Sequence, residues 1–173
     1  MSVVVIGGVN VDVLAASAGA LAPGLSNPGR VRIAPGGAGR NVAENLARLG
    51  VAVSLLAAAD AHPLTDVALG QASGAGVDVS EVVHVRGMGN YYVAVEDAGT
   101  VKYAVSDMSA AEALTPGDLD ARASLIGEAE AVVVDANLHP ATIVRAVELT
   151  KPSRLCLLPV SRAKATRLRG VLK

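Results

Sequence analysis

Two short stretches of the chain carry residue types that could do chemistry together. The first is Gly8-Val9-Asn10-Val11-Asp12. In an extended segment Asn10 and Asp12, two residues apart, point to the same face. There an amide and a carboxylate can donate to and accept from the vicinal hydroxyls of a sugar. The plainer role for the pair is to satisfy turn backbone after a strand. The second stretch is Pro35-Gly36-Gly37-Ala38-Gly39-Arg40-Asn41. Its glycines allow positive φ and a close approach to a ligand, and the N–H groups of a following helix point at a polar or anionic group. The alternative is a tight turn with a helix cap at Asn41. The stretch is not a Walker loop, because no Gly-Lys-Ser/Thr follows. Its glycine spacing and its distance from the first strand also fail the dinucleotide fingerprint.

Other chemistries find little footing. His62, His84 and His139 lie apart and form no metal-binding spacing, so they read as surface or turn residues. No Gly-x-Ser-x-Gly elbow occurs, and the acidic residues show no nucleophile or acid–base pair. Cys156 is the one cysteine of the 173 residues, which excludes an intrachain disulfide and a cysteine-based zinc site. Fifteen Lys and Arg against sixteen Asp and Glu give a net charge of −1, so no global basic field attracts nucleic acid. With three Tyr and no Phe or Trp, stacking on bases is a poor candidate mode. The basic C-terminal segment, Arg162, Lys164, Arg167, Arg169 and Lys173, lacks aromatics and reads as a solvated face. Apolar residues at 51% and charged ones at 18% describe a folded chain, not a disordered tail. The longest uncharged run, between Asp12 and Arg30, contains Pro23 and Pro28 and is not a membrane span. The N-terminus has no basic region and reads as a strand, not a signal peptide. These features give the expectation of a cytoplasmic protein.

The elements that must position the two stretches follow from hydrophobic pattern. Val3-Val4-Val5-Ile6, residues 51–56, Ala131-Val132-Val133-Val134 and residues 155–158 are continuous apolar runs, as in parallel strands buried on both faces. Residues 13–29, rich in Ala, Gly, Ser and Pro, read as loop, and residues 30–33 as a half-buried strand. Helices are expected over residues 41–49, 63–73, 115–127 and 140–149, and from Ser161 to the end. Val42, Leu46 and Leu49 form one apolar face of the first, Glu44 and Arg48 an outside pair, and Gly50 its cap. Residues 91–95 and 100–105 are β-type runs joined by Asp97-Ala98-Gly99, a hairpin signal. The whole is α/β, a parallel sheet flanked by helices with an inserted hairpin. It forms one domain over residues 1–173.

Together the two stretches resemble the PfkB, or ribokinase-like, family of carbohydrate and nucleoside kinases. The match is Gly-x-Asn-x-Asp after the first strand, then Gly36-Gly37-Ala38-Gly39-Arg40-Asn41-Val42-Ala43-Glu44-Asn45-Leu46-Ala47-Arg48-Leu49-Gly50. Gly76-Val77-Asp78-Val79-Ser80 is similar to the landmark that precedes the lid strands, and the hairpin at about 88–106 sits where the family places its lid. Val105-Ser106-Asp107-Met108, Leu114-Thr115-Pro116, Val134-Asp135-Ala136-Asn137-Leu138 and Pro159-Val160-Ser161 with Lys164-Ala165 look like the pseudouridine-kinase branch. The resemblance implies that Asn10 and Asp12 bind sugar hydroxyls. It implies that Gly37, Ala38, Gly39 and Asn41 hold the other side of the ring, that Asn137 contacts the sugar, and that Tyr91 and Val93, or their neighbours on the opposite strand face, close the lid. It further implies ATP and Mg²⁺ as cofactors, a small sugar or nucleoside as ligand, no nucleic-acid or membrane partner, and a homodimer through the lid.

The chain also departs from the family. The later Gly-Ala-Gly-Asp motif, whose Asp is the catalytic base, does not occur, nor does the Asn-x-x-Glu motif linked to magnesium. Ala58-Ala59-Asp60-Ala61-His62-Pro63 stands where relatives usually show Gly-x-Asp and a further Gly. The expectation is therefore an N-terminal portion of the fold, with the C-terminal part missing, no catalytic or metal residues of its own, and no kinase activity alone. The alternative is a non-catalytic sugar- or nucleoside-binding or oligomerising remnant.

Overall fold

The computed structural model describes residues 2–151 and 154–172. Strand β1 (Ser2–Ile6) leads through residues 7–9 into β2 (Asn10–Ser17), and the chain returns as β3 (Gly29–Gly36). There follow α1 (Ala38–Arg48), β4 (Ala52–Leu56), β5 (Ala58–Asp60), α2 (Pro63–Gly74), β6 (Val77–Asp78) and β7 (Val83–Val85). Strands β8 (Tyr91–Asp97) and β9 (Thr100–Asp107) form the hairpin. Short helices α3 (Ser109–Glu112), α4 (Pro116–Asp120) and α5 (Ala123–Glu128) precede β10 (Ala131–Asp135), α6 (Pro140–Leu149), β11 (Leu155–Leu158), α7 (Arg162–Ala165) and a 3₁₀ turn (Thr166–Gly170).

The continuous apolar runs build a parallel sheet in the order β11-β10-β1-β4-β6. Alternation sends Val3 and Val5 into the layer with Ala43, Ala68, Leu69 and Ala72 of α1 and α2. Val4 and Ile6 enter the opposite layer, with Leu119, Ile126, Ile143 and Ala146 of α4, α5 and α6. A strand buried on both faces has no polar position to spare, and each such side chain contributes about 1.5–3 kcal/mol by leaving water. No helix among the described residues is long and apolar enough to cross a membrane.

A second sheet, β3-β2-β8-β9, stands off the first. Here β2 pairs in parallel with β8, and β3 and β9 flank them antiparallel. Residues 13–17, expected as loop, belong to β2. Val13-Leu14-Ala15-Ala16 has weak strand propensity, and ladders on both sides supply what propensity lacks. The expected hairpin is therefore half of a four-stranded sheet and does not stand alone. Its hairpin turn has φ of 49° at Ala98 and 74° at Gly99, the two positive values of a type I′ turn.

Three helix expectations also change. Helix α1 begins at Ala38 and ends before Leu49, which is 80% exposed. Its core-facing stripe is Ala43, buried, with Val42, Leu46 and Ala47 half-buried beside it. Gly50, at φ 82°, ends the turn as expected. Residues 115–127 split into α4 and α5, the first fixed by a reciprocal cap between Thr115 and Asp118. The helix from Ser161 closes after one α turn into 3₁₀ geometry, and Lys173 lies outside the described residues. His62 and His139 serve as side-chain caps of α2 and α6, accepting through Nδ1 from Leu64 and Ala141 N–H.

Candidate functional site

The carboxyl ends of β1 and β10 stand side by side at the middle of the parallel sheet, where open α/β sheets bind ligands. Three segments meet there: residues 7–12, the glycine turn into α1, and residues 135–137.

The glycines are required by this meeting. Gly37 has φ 100°, and a Cβ there would lie 2.8 Å from Val9 Cα. A Cβ on Gly39 would lie 2.8 Å from Gly7 Cα, so the two backbones touch. Arg40 N–H donates to Gly8 O at 3.1 Å and completes the dock. Asn41 is not the helix cap. That position is Gly37, which has no side chain to offer. Asn41 is exposed within α1, and its Oδ1 accepts from Arg40 Nη1 at 2.9 Å. Arg40 itself is buried. It donates to Ala68 O of α2 at 3.3 Å and pairs with Glu44, which also pairs with Arg48.

Asn10 and Asp12 lie on one face of β2, and Asn10 Nδ2 donates to Asp12 Oδ1 at 2.5 Å. A Cβ on Gly36, beside Asn10 in register, would come within 2.6 Å of the Asn10 amide. Asn10 Oδ1 and Asp12 Oδ2 have no protein partner among the described residues. They are two acceptors held a short distance apart. Burial raises the Asp12 carboxyl above its ordinary pKa, against the Asn10 hydrogen bond and the charge of Arg40.

Lid register decides which residues share that face. Asp12 pairs with Tyr92 and Leu14 with Ala94, whereas Val11 pairs with Tyr91 and Val13 with Val93. Tyr91 and Val93 thus lie on the face opposite Asn10 and Asp12. Tyr91 instead packs edge-on against His62, ring centres 6.0 Å apart. Tyr92 and Ala94, the opposite-face neighbours, share the face of Asn10 and Asp12. The other face is apolar and open beyond Tyr91: Val31 and Ile33 of β3, Val93 of β8, and Tyr103 and Val105 of β9 align on it and are all exposed.

Asn137 is buried beside Gly8. Its Nδ2 donates to Asp135 Oδ2 at 3.4 Å, and its Oδ1 accepts from Lys164 Nζ at 2.5 Å. Burial lowers the Lys164 pKa, as does nearby Arg167, while Asp135 and Glu112 oppose. Arg167 donates to the carbonyls of Asn137 and Leu138 and pairs with Glu112 at 2.6 Å. The basic segment expected as a solvated face is thus docked on the site through Lys164 and Arg167. Residues Ser106, Asp107, Met108, Glu112, Lys164 and Arg167 line a cleft of about 490 Å³ between the end of β9 and α7.

Sequence pattern missed Asp135 and Lys164 as site residues. The first had a signal, a carboxylate at the carboxyl end of a buried strand two residues before Asn137. The second was masked by the charge run around it.

A model described as pfkB family carbohydrate kinase matches residues 1–163. Pseudouridine kinase of Escherichia coli strain K12 is 31% identical over 172 residues, 98% of this chain and 55% of its own length. Guanosine-inosine kinase of Exiguobacterium acetylicum is 29% identical over 160 residues, 91% of this chain and 53% of its own. The solved structure of a carbohydrate kinase from Agrobacterium tumefaciens superposes with a TM-score of 0.88 at 28% identity, covering 99% of this chain and 57% of that one. The chain spans about half the length of the curated relatives it matches.

Proposed function

From the premise that this chain belongs to the pfkB family of carbohydrate kinases, we propose that its 173 residues form the acceptor-binding part of a sugar or nucleoside kinase, with pseudouridine the favoured acceptor. The observation that carries this is the Asn10–Asp12 pair, with two partnerless acceptor oxygens on the lid face that looks toward the sheet's carboxyl ends. Two such oxygens suit the two O–H donors of a vicinal diol. The backbone of Gly37, Ala38 and Gly39 and the side chains of Asn41 and Asn137 supply the opposite wall. Tyr92 and Ala94 cover the ring from the lid. The cleft beside Lys164 leaves room for the base of a nucleoside.

The complete reaction of such a kinase moves the γ-phosphoryl group of ATP to a hydroxyl with Mg²⁺. Among the described residues no group of three or more His, Cys, Asp or Glu is placed to hold a metal ion. The role proposed for these residues is acceptor binding. What they do is orient the diol and exclude water from the held face, the positioning share of phosphoryl transfer. The setting proposed is the cytoplasm, where the free thiol of Cys156 stays reduced.

Calorimetry of the chain with pseudouridine, adenosine and ribose tests the assignment, with ADP release followed in parallel. Pseudouridine is expected to bind and Asp12→Ala to weaken binding by roughly 10–100-fold; affinity untouched by that change sinks the site. ADP release is expected to stay at the acceptor-free rate. Acceptor-dependent ADP would mean that phosphoryl transfer uses residues given no such role above.

The outer lid face supports a second role. Its aligned exposed apolar side chains fit self-association better than contact with water, and we assign them to a homodimer through the lid.

A further inference from the structure

The Asp135 carboxylate ends a central strand, is fully buried, and makes no ion pair at hydrogen-bonding distance among the described residues. Its bonds run instead to three backbone N–H groups and, at 3.4 Å, to the Asn137 side-chain amide. Oδ2 accepts from Gly8 N–H at 2.8 Å and from Gly39 N–H at 3.0 Å; Oδ1 accepts from Asn137 N–H at 2.8 Å. These donors belong to three different segments. Gly8 precedes Asn10 and Asp12, Gly39 is in the first turn of α1, and Asn137 follows β10. Each segment carries contact residues of the proposed site, and each is tied to the same two oxygens.

The Gly39 bond also answers a local need. Helix α1 starts at a glycine with no capping side chain, and first-turn N–H groups must find acceptors elsewhere. A carboxylate from 96 residues away takes the position that Ser or Asp takes in an ordinary cap. Burial pushes the carboxyl pKa up, while the N–H bonds from Gly8, Asn137 and Gly39 and the positive end of the helix favour its charged form.

We propose that Asp135 is the positioning residue of the acceptor site, fixing the spacing of the Asn10–Asp12 pair, the glycine turn and Asn137 through three backbone N–H groups. The inference rests on the acceptor-binding function proposed above. An acceptor-only group is essential to it. Asparagine has the same shape, yet its amide would turn an N–H₂ toward donors or leave one of them unpaired.

The test compares Asp135→Asn with the wild-type chain and with Ile143→Val, a core change on α6 that leaves the three N–H bonds in place. Pseudouridine affinity is read by calorimetry, and backbone amide exchange by NMR. Asp135→Asn is expected to weaken binding by about 10-fold or more and to speed exchange at Gly8, Gly39 and Asn137. Ile143→Val is expected to keep affinity within about twofold of wild type, since it touches none of the Asp135 bonds. Equal affinity in wild type and Asp135→Asn overturns the positioning role alone. Equal loss in Asp135→Asn and Ile143→Val also overturns it, because general destabilisation then suffices. A wild-type chain that binds none of pseudouridine, adenosine or ribose overturns the acceptor-site assignment, and the positioning role with it. If Asp135→Asn does not fold, the wild-type chain carries the test. On addition of pseudouridine, the Asp135 carboxyl carbon and the Gly8, Gly39 and Asn137 amides must shift together. Shifts at Asn10 and Asp12 without these overturn the proposal.

Discussion

A carboxylate that accepts from a neutral diol does more work ionised than protonated. Asp12 is therefore the residue at which pH should act. Its pKa is raised from the ordinary 3.8, chiefly by burial, so on acidification it takes up a proton earlier than exposed carboxylates do. The protonated form loses acceptor capacity at the site. Pseudouridine affinity is thus expected to fall as pH drops, starting above the ordinary carboxylate range, and Asp12→Asn should flatten the profile; calorimetry across the acid range checks both. At neutral pH Asp12→Ala should cost the charged hydrogen bonds, about 1.5–3 kcal/mol or roughly 10–100-fold in Kd. Asn10→Ala should cost less, because it leaves the carboxylate in place. Asn10 and Asp12 were legible in the sequence because their spacing of two is local. Asp135 was not, because its partners lie 127 and 96 residues away, and no pattern within one segment shows what a buried oxygen will meet.

At the scale of elements, the glycine turn and α2 make opposite predictions. Gly37→Ala forces a Cβ onto a residue at φ 100° and against Val9. Left-handed backbone alone costs about 1–2 kcal/mol, and overpacking adds about 1–3 kcal/mol. Gly39→Ala meets the second penalty only, since Gly7 is backbone and cannot turn aside. Gly70 lies inside α2 with nothing within 4 Å of its would-be Cβ. Gly70→Ala should therefore stabilise by about 0.5–1 kcal/mol. Urea unfolding of the three variants gives the signs directly. The strands of the parallel sheet were legible because burial on both faces leaves an unbroken apolar run. Strand β2 was not, since its Ala-rich half is held by β3 and β8 and not by its own preferences. Helices α4 and α5 were joined in the sequence reading because the break at Ala121 and Arg122 carries neither Gly nor Pro.

For the whole molecule, the outer lid face predicts assembly. Sedimentation is expected to show a dimer, and Val105→Glu, placing a charge where the strands align Ile33, Val13, Val93 and Val105, should yield a monomer that still binds pseudouridine. A monomeric wild type, or a variant that stays dimeric, removes the lid from the interface. The family and the α/β layering were legible from motifs at the chain's own scale, whereas the lid's four-stranded form needed pairings across 80 or so residues (Val11 with Tyr91, Asp12 with Tyr92). The same nonlocality has a consequence in time. Strand β1 is the centre of the parallel sheet, yet its partner β10 lies about 130 residues downstream. At roughly 5–20 residues per second of synthesis, the first strand emerges on the order of ten seconds before its neighbour exists. Through that interval β1 can pair only with β4 and the edge that β10 will cover stays open, so the newborn chain depends on whatever shields an unfinished sheet while the ribosome works.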